Sequence, residues 1–178
     1  MKLSEKDYFA QNYKIVTVNN KKFEEASILK LSTKEDFTPL KDASKENINI
    51  IEFESNFAGS APDEFDESFL ANLRENLKNA ENNDVVFCIK PVINATSLSA
   101  EEAENLNKLF YHIARRIKDC SCVAGFVLPK FNSNSNIEQT TSLINMLKKK
   151  HPEYVYILNS KNEISSIINE YPNRLAFY

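Results

Sequence analysis

The chain reads as an α/β protein: an N-terminal hairpin, then repeated β/α units with a mainly parallel sheet of five to six strands. Three observations predict it. Val85 to Ile89 is apolar and β-branched at nearly every position, as in a strand covered on both faces. Ser99 with Glu102 forms a capping box, after which Ala103, Leu106, Phe110, Ile113 and Ile117 recur at steps of three and four. Cys122 to Leu128 is then a second buried run, so residues 85 to 131 form a βαβ crossover. Two arrangements fit, an incomplete (β/α) barrel or an open doubly wound sheet, and both belong to one domain over residues 1–178.

Taken in order, residues 13 to 31 read as the hairpin, with strands at Tyr13 to Val18 and Ala26 to Leu31 and a turn at Asn19-Asn20. Residues 32–178 carry the β/α units. Ser32 with Glu35 would cap a helix running to Ala43, but Pro39 lies inside it, so the alternative start is Thr38-Pro39. Asn47 to Phe53 is the next strand, followed by a polar loop to Asp63. Asp66 to Ala80 is a helix with Phe69, Leu70, Leu73 and Leu77 on one side. Asp63, Glu64, Asp66 and Glu67 stand where they favour its positive end. Beyond the crossover, Ser135 with Glu138 caps a helix whose Ile137, Ile144 and Leu147 face inward. Lys148 to Lys150 fit the negative end of that helix. Tyr154 to Leu158 is a strand, Ser160 with Glu163 caps a short helix, and Arg174 to Tyr178 is the last strand.

Composition excludes several function classes. The 178 residues are 42% hydrophobic and 26% charged with a net charge of -3, a globular balance without the basic footprint of a nucleic-acid binder. No run reaches a membrane span and the N-terminus has no apolar leader core, which predicts a cytoplasmic protein, although a chain trimmed of its leader would read the same. Cys88, Cys120 and Cys122 read as reduced structural thiols, and the two histidines are too separated for a metal set. With only Gly59 and Gly125, neither a dinucleotide turn nor a P-loop can be written. No cofactor or metal is expected.

Several stretches carry a resemblance to a family. VTVNNKKF looks like the opening hairpin of the cellulase-like, family five glycoside hydrolases. STKEDFTPLKDASKENINIIEF is similar to their first helix and second strand, YHIARRIKDCSCVAGFVL to the segment before their acid/base glutamate, and NRLAFY to their sixth strand. The resemblance implies a (β/α)8 barrel preceded by a hairpin, and a retaining mechanism with two carboxyl groups about 5 Å apart. The sequence departs from that pattern where the chemistry sits. Lys130 and Phe131 occupy the acid/base positions; Glu52 replaces an arginine, Lys90 a histidine and Ala176 another histidine. The family nucleophile belongs to a seventh strand, and only six are read here. The resemblance therefore implies a shortened, non-catalytic relative.

In parallel α/β proteins ligands bind beyond the carboxyl ends of the strands. The candidate ligand-binding residues there are Glu52, Glu54, Lys90, Asn94, Lys130, Asn159 and Tyr178. Two lysines and a carboxylate could take a small anionic ligand, or one lysine could serve as a nucleophile. Against these stands a structural ion network. A carbohydrate ligand would need apolar platforms; there is no Trp, leaving Tyr8, Tyr13, Phe57, Phe131 and Tyr178. Partners considered are a homodimer or a protein bound at an open sheet edge. An active hydrolase with rearranged carboxylates such as Glu52 and Glu54, and a flavodoxin-like binding module, are the alternative readings.

Overall fold

The structure is a computed structural model that describes residues 8–61, 63–93, 98–131 and 136–178. Two short strands come first, β1 (Tyr8–Gln11) and β2 (Lys14–Thr17), paired antiparallel. The main sheet follows with β3 (Ala26–Lys30) and β4 (Ile48–Glu54). After a small hairpin, β5 (Gly59–Ala61) and β6 (Glu64–Phe65), comes α1 (Glu67–Ala80). Then β7 (Val86–Val92), α2 (Ala100–Arg116), β8 (Val123–Val127), α3 (Asn136–Lys148), β9 (Val155–Ile157), α4 (Lys161–Ile167) and β10 (Leu175–Ala176) alternate.

The six strands of the main sheet stand in chain order, β3-β4-β7-β8-β9-β10, and every pair is parallel. A doubly wound or flavodoxin-like sheet reverses its order at a switch point. This one does not, so of the two arrangements the sequence left open the strand order is that of an incomplete barrel.

Period-two alternation sorts the strand residues between two cores. Leu29, Ile51, Phe53, Phe87, Ile89, Phe126, Tyr154 and Tyr156 face the helices, which bring Leu70, Leu73, Phe110, Ile113, Ile144 and Ile164 to the same cluster. Ile48, Ile50, Val86, Cys88, Val155, Ile157 and Ala176 face the other way, onto Ala10, Ile15 and Phe23 of the N-terminal segment. All four helices thus lie on one face, and the hairpin covers the other. The hydroxyls of Tyr154 and Tyr156 are buried without a hydrogen-bond partner.

The hairpin is where sequence and structure differ most. It spans Tyr8–Thr17 and turns at Asn12 and Tyr13, both at positive φ, the conformation a two-residue type I′ turn requires. The expected turn at Asn19-Asn20 does form, with Asn20 at positive φ, but it returns the chain for a single bridge, Val16 to Lys22. Ala26–Lys30, expected as the second hairpin arm, is the first parallel strand. It finds a better partner in β4, against which five successive residues pair.

The helix expected from Ser32 forms only as a 3-10 turn at Thr38–Asp42, starting where Pro39 can occupy the first turn. The polar loop before α1 holds the β5–β6 hairpin. Asp66 caps α1 by accepting from the Phe69 N–H at 2.9 Å, and the Ser99–Glu102 capping box of α2 is present in both directions. Ser135, the expected cap of α3, lies outside the described residues. Ile137 is 47% exposed rather than inward, and Leu143 takes its place beside Ile144 and Leu147.

At the amino ends of the strands, Arg74 and Lys78 of α1 both pair with Asp119, and Lys78 also pairs with Glu81. Cys88, Cys120 and Cys122 are buried and unpaired. Burial pushes the thiols of Cys120 and Cys122 up to about 12, which keeps them inert.

Two predictions follow from this packing. At the β7–β8 register shift Ala124 and Gly125 share one opposing residue, a bulge, and a Cβ on Gly125 would overlap the Val155 carbonyl oxygen. Gly125→Ala is expected to lower unfolding free energy by about 3 kcal/mol in a urea titration. The second concerns Asp119, whose hydrogen bond from Arg74 holds its carboxyl below the ordinary aspartate value. A depressed folded-state pKa contributes stability above the unfolded value, near ~3.9, that is lost as pH falls through the folded one. Thermal melts should therefore show Asp119→Asn less stable than the parent at neutral pH, with the difference closing in acid.

Candidate functional site

The carboxyl ends of the strands carry a charged ladder. In register, Lys30 of β3 stands beside Glu52 of β4, and Glu52 beside Lys90 of β7. All three share the parity of Ile50 and Cys88, so they crown the inner face. Lys90 Nζ donates to Glu52 Oε2 at 2.7 Å. Their side chains are 33% and 19% exposed, so the pair is partly shielded from water. Lys30 is exposed and has no ion-pair partner among the described residues. Along the ladder two ammonium groups face one carboxylate.

The remaining candidates separate. Glu54 continues the same face of β4 one pleat beyond Glu52, opposite Val92. Lys130 is exposed and makes no ion pair with either glutamate. Asn159 is committed to the backbone: its Nδ2 donates to the Leu128 carbonyl at 3.2 Å, and its N–H to Glu163 Oε2 at 3.2 Å. It ties the ends of β8 and β9 together. Asn94 lies outside the described residues. Tyr178 is not a rim residue. It turns into the inner face, where its hydroxyl accepts from the Ile15 N–H at 2.8 Å and donates to the Phe23 carbonyl at 3.0 Å. Burial pushes its phenol well above the ordinary tyrosine value. The apolar body and polar tip of a tyrosine suit this tie to the hairpin.

Lys30 is the residue sequence reading missed. The alternation Ala26, Ile28, Lys30 carries the signal, but with Ala26 to Leu31 read as a hairpin arm no strand end was expected there.

A second group of titrating residues sits on the helix layer. Glu67 lies between His112 Nε2 at 2.9 Å and Arg116 at 2.5 Å, and the His112 ring stacks on Phe65 at 3.7 Å between centroids. Arg116 holds the Glu67 carboxyl below its ordinary value, and burial lowers His112. This arrangement clamps the β5–β6 hairpin onto α2. Among the described residues no group of His, Cys, Asp and Glu has the arrangement of a metal site.

A general acid and a nucleophile must come from facing positions about 5 Å apart. Among the described residues the carboxylates at these strand ends belong to β4, and the flanking strands offer Lys30, Lys90 and Val92. A nucleophilic lysine needs a desolvated, unpaired amine. Lys90 is paired and one third exposed.

Comparison with solved structures fits this architecture. The endoglucanase Cel5A of Pseudomonas stutzeri superposes with a TM-score of 0.59 at 11% identity, over 82% of this chain and 51% of that one. A GH5_18 protein of Bifidobacterium longum subsp. infantis gives 0.53 at 7% identity, over 73% and 40%. The fold is that of family five glycoside hydrolases, in open form. The chain spans about half the length of Cel5A. No protein-family model and no curated protein matches the sequence.

The ladder makes a measurable prediction. In a double-mutant cycle with Glu52→Gln and Lys90→Met, the two side chains should show a coupling free energy of about 1 kcal/mol in denaturant unfolding. Zero coupling would mean the pair contributes nothing to the rim.

Proposed function

We propose that the protein is a non-catalytic glycoside-hydrolase-like α/β protein whose strand-end rim binds a small anionic or carbohydrate ligand. The observation that carries this reading is the Lys30–Glu52–Lys90 ladder at the carboxyl ends of β3, β4 and β7, where two ammonium groups flank one carboxylate. Glu52 Oε2 is turned onto Lys90, and Glu54 follows it on the same strand, so among the described residues the two rim carboxyls are neighbours along β4 and do not face each other as an acid and nucleophile pair would.

Binding is the chemistry that remains. Lys30 adds an ammonium that makes no ion pair among the described residues, and Lys130 adds another at the end of β8. Ammonium groups on flexible stems suit a carboxylate or phosphate approaching from solvent. A sugar acid combines both ligand classes, and glucuronate is a suitable probe.

Two measurements test the reading. Against a panel of aryl glycosides the protein should give no turnover; turnover that disappears in Glu52→Gln would show an active hydrolase instead. In calorimetric titration with glucuronate, Lys30→Ala and Lys90→Ala should each weaken binding about tenfold, the scale of one lost charged contact. Equal affinity in both variants and in Lys130→Ala would remove the lysine rim as the site.

A further inference from the structure

The two edges of the main sheet are treated differently. Beside β10, hairpin backbone bonds the flanking residues: Ala10 N–H donates to Asn173 O and Phe177 N–H to Tyr13 O, both at 2.8 Å. β3 ends the sheet on the other side, and among the described residues no strand pairs with its outer edge.

The direction of its backbone groups follows from its bonds to β4. Leu31 N–H donates to Glu52 O at 2.8 Å, and Glu25 O accepts from Ile48 N–H at 3.0 Å. Odd-numbered residues of β3 therefore point their main-chain groups at β4. Those of Ala26, Ile28 and Lys30 point outward. Ile28 is also 60% exposed, the highest value among the exposed large hydrophobic residues of the described chain.

We propose that this edge pairs with the same edge of a second copy, two β3 strands running antiparallel about a two-fold axis at Ser27. Charge selects the register. With the axis at Ser27, Ala26 faces Ile28, and Glu24 just before the strand, which pairs with Lys22 of its own chain at 2.7 Å, comes opposite Lys30 of the other copy, twice over. Moving the axis to Ala26 sets Lys22 against Lys30, which repels. Moving it to Ile28 places Lys30 opposite Ala26 and Glu24 opposite Ser32, losing both ion pairs. Within β3 the even-numbered residues Ala26, Ile28 and Lys30 are those whose N–H and C=O groups point outward, so the two strands can exchange hydrogen bonds. Because the contact is isologous and β10 is already flanked by the hairpin, assembly closes at two copies. The joined sheet has twelve strands.

Residue Ser27 would meet its own copy in a non-hydrogen-bonded pair, with Cα atoms about 4.5 Å apart, within disulfide range. Its hydroxyl accepts from Asn47 Nδ2. The native cysteines are buried and do not compete. Sedimentation equilibrium of the full chain should show a reversible dimer. Glu24→Lys should weaken it about tenfold or more by setting like charges face to face, and Glu24→Lys with Lys30→Glu should restore it. Under mild oxidation Ser27→Cys should give a cross-linked dimer on a non-reducing gel and Ile28→Cys should not. A chain that stays monomeric at every concentration overturns the proposal. So does cross-linking by Ile28→Cys in place of Ser27→Cys, or association indifferent to Glu24→Lys. Lys30 takes part in both readings, so the Ser27→Cys cross-link and the Glu24→Lys effect report on the dimer alone, and Lys90→Ala reports on the rim alone.

Discussion

An apolar sheet face cannot be left in water, and the structure is arranged around that constraint. Helices on one side of a barrel-type sheet leave the inner side to be covered by closing strands. Here the main sheet has six strands among the described residues, and the hairpin supplies Ala10 and Ile15, with Phe23 just after it, to the inner cluster. Tyr178 fixes the cover in place, its one hydroxyl bonded to backbone on both sides of the Asn19-Asn20 turn. The hydrophobic effect specifies only that something apolar should lie there; the directional bonds specify which segment and in what position.

The same requirement explains the rim. An eight-stranded barrel can hold two acids across its mouth because strands approach that mouth from opposite sides. With an open sheet, the side chains at the strand ends meet mainly lateral neighbours, and lateral neighbours of like charge repel. Lys30, Glu52 and Lys90 alternate in sign across three adjacent strands, the arrangement that lateral contact favours. The chemistry at the rim and the openness of the sheet are in this sense one property.

Much of this was legible in the sequence, for identifiable reasons. The parallel strands announce themselves through buried runs such as Val85 to Ile89, and α2 through a capping box that forms as written. The pairing of Glu52 with Lys90 follows from placing β4 beside β7. What failed did so where local signals compete with tertiary contacts. The Asn12-Tyr13 turn carries no glycine to advertise its positive φ values, so Asn19-Asn20 drew the hairpin one segment too far along and hid Lys30. Tyr178 looked like a strand-end ligand because sequence gives position along a strand but not the depth to which a long side chain reaches back. Ile137 looked inward on spacing alone, yet the first turn of α3 stands clear of the sheet.

The bond between Ile15 and Tyr178 joins groups 163 residues apart. A nascent chain emerging from the ribosome therefore presents β3, β4, β7, β8 and β9 long before the residue that secures their cover has been made. Through that interval the inner face of a growing parallel sheet is wet and adhesive, a condition that invites chaperone capture. The covered sheet is thus completed only once Tyr178 has been made, and slow, topology-limited maturation is the cost of shielding one side of a sheet with a segment translated ahead of its strands.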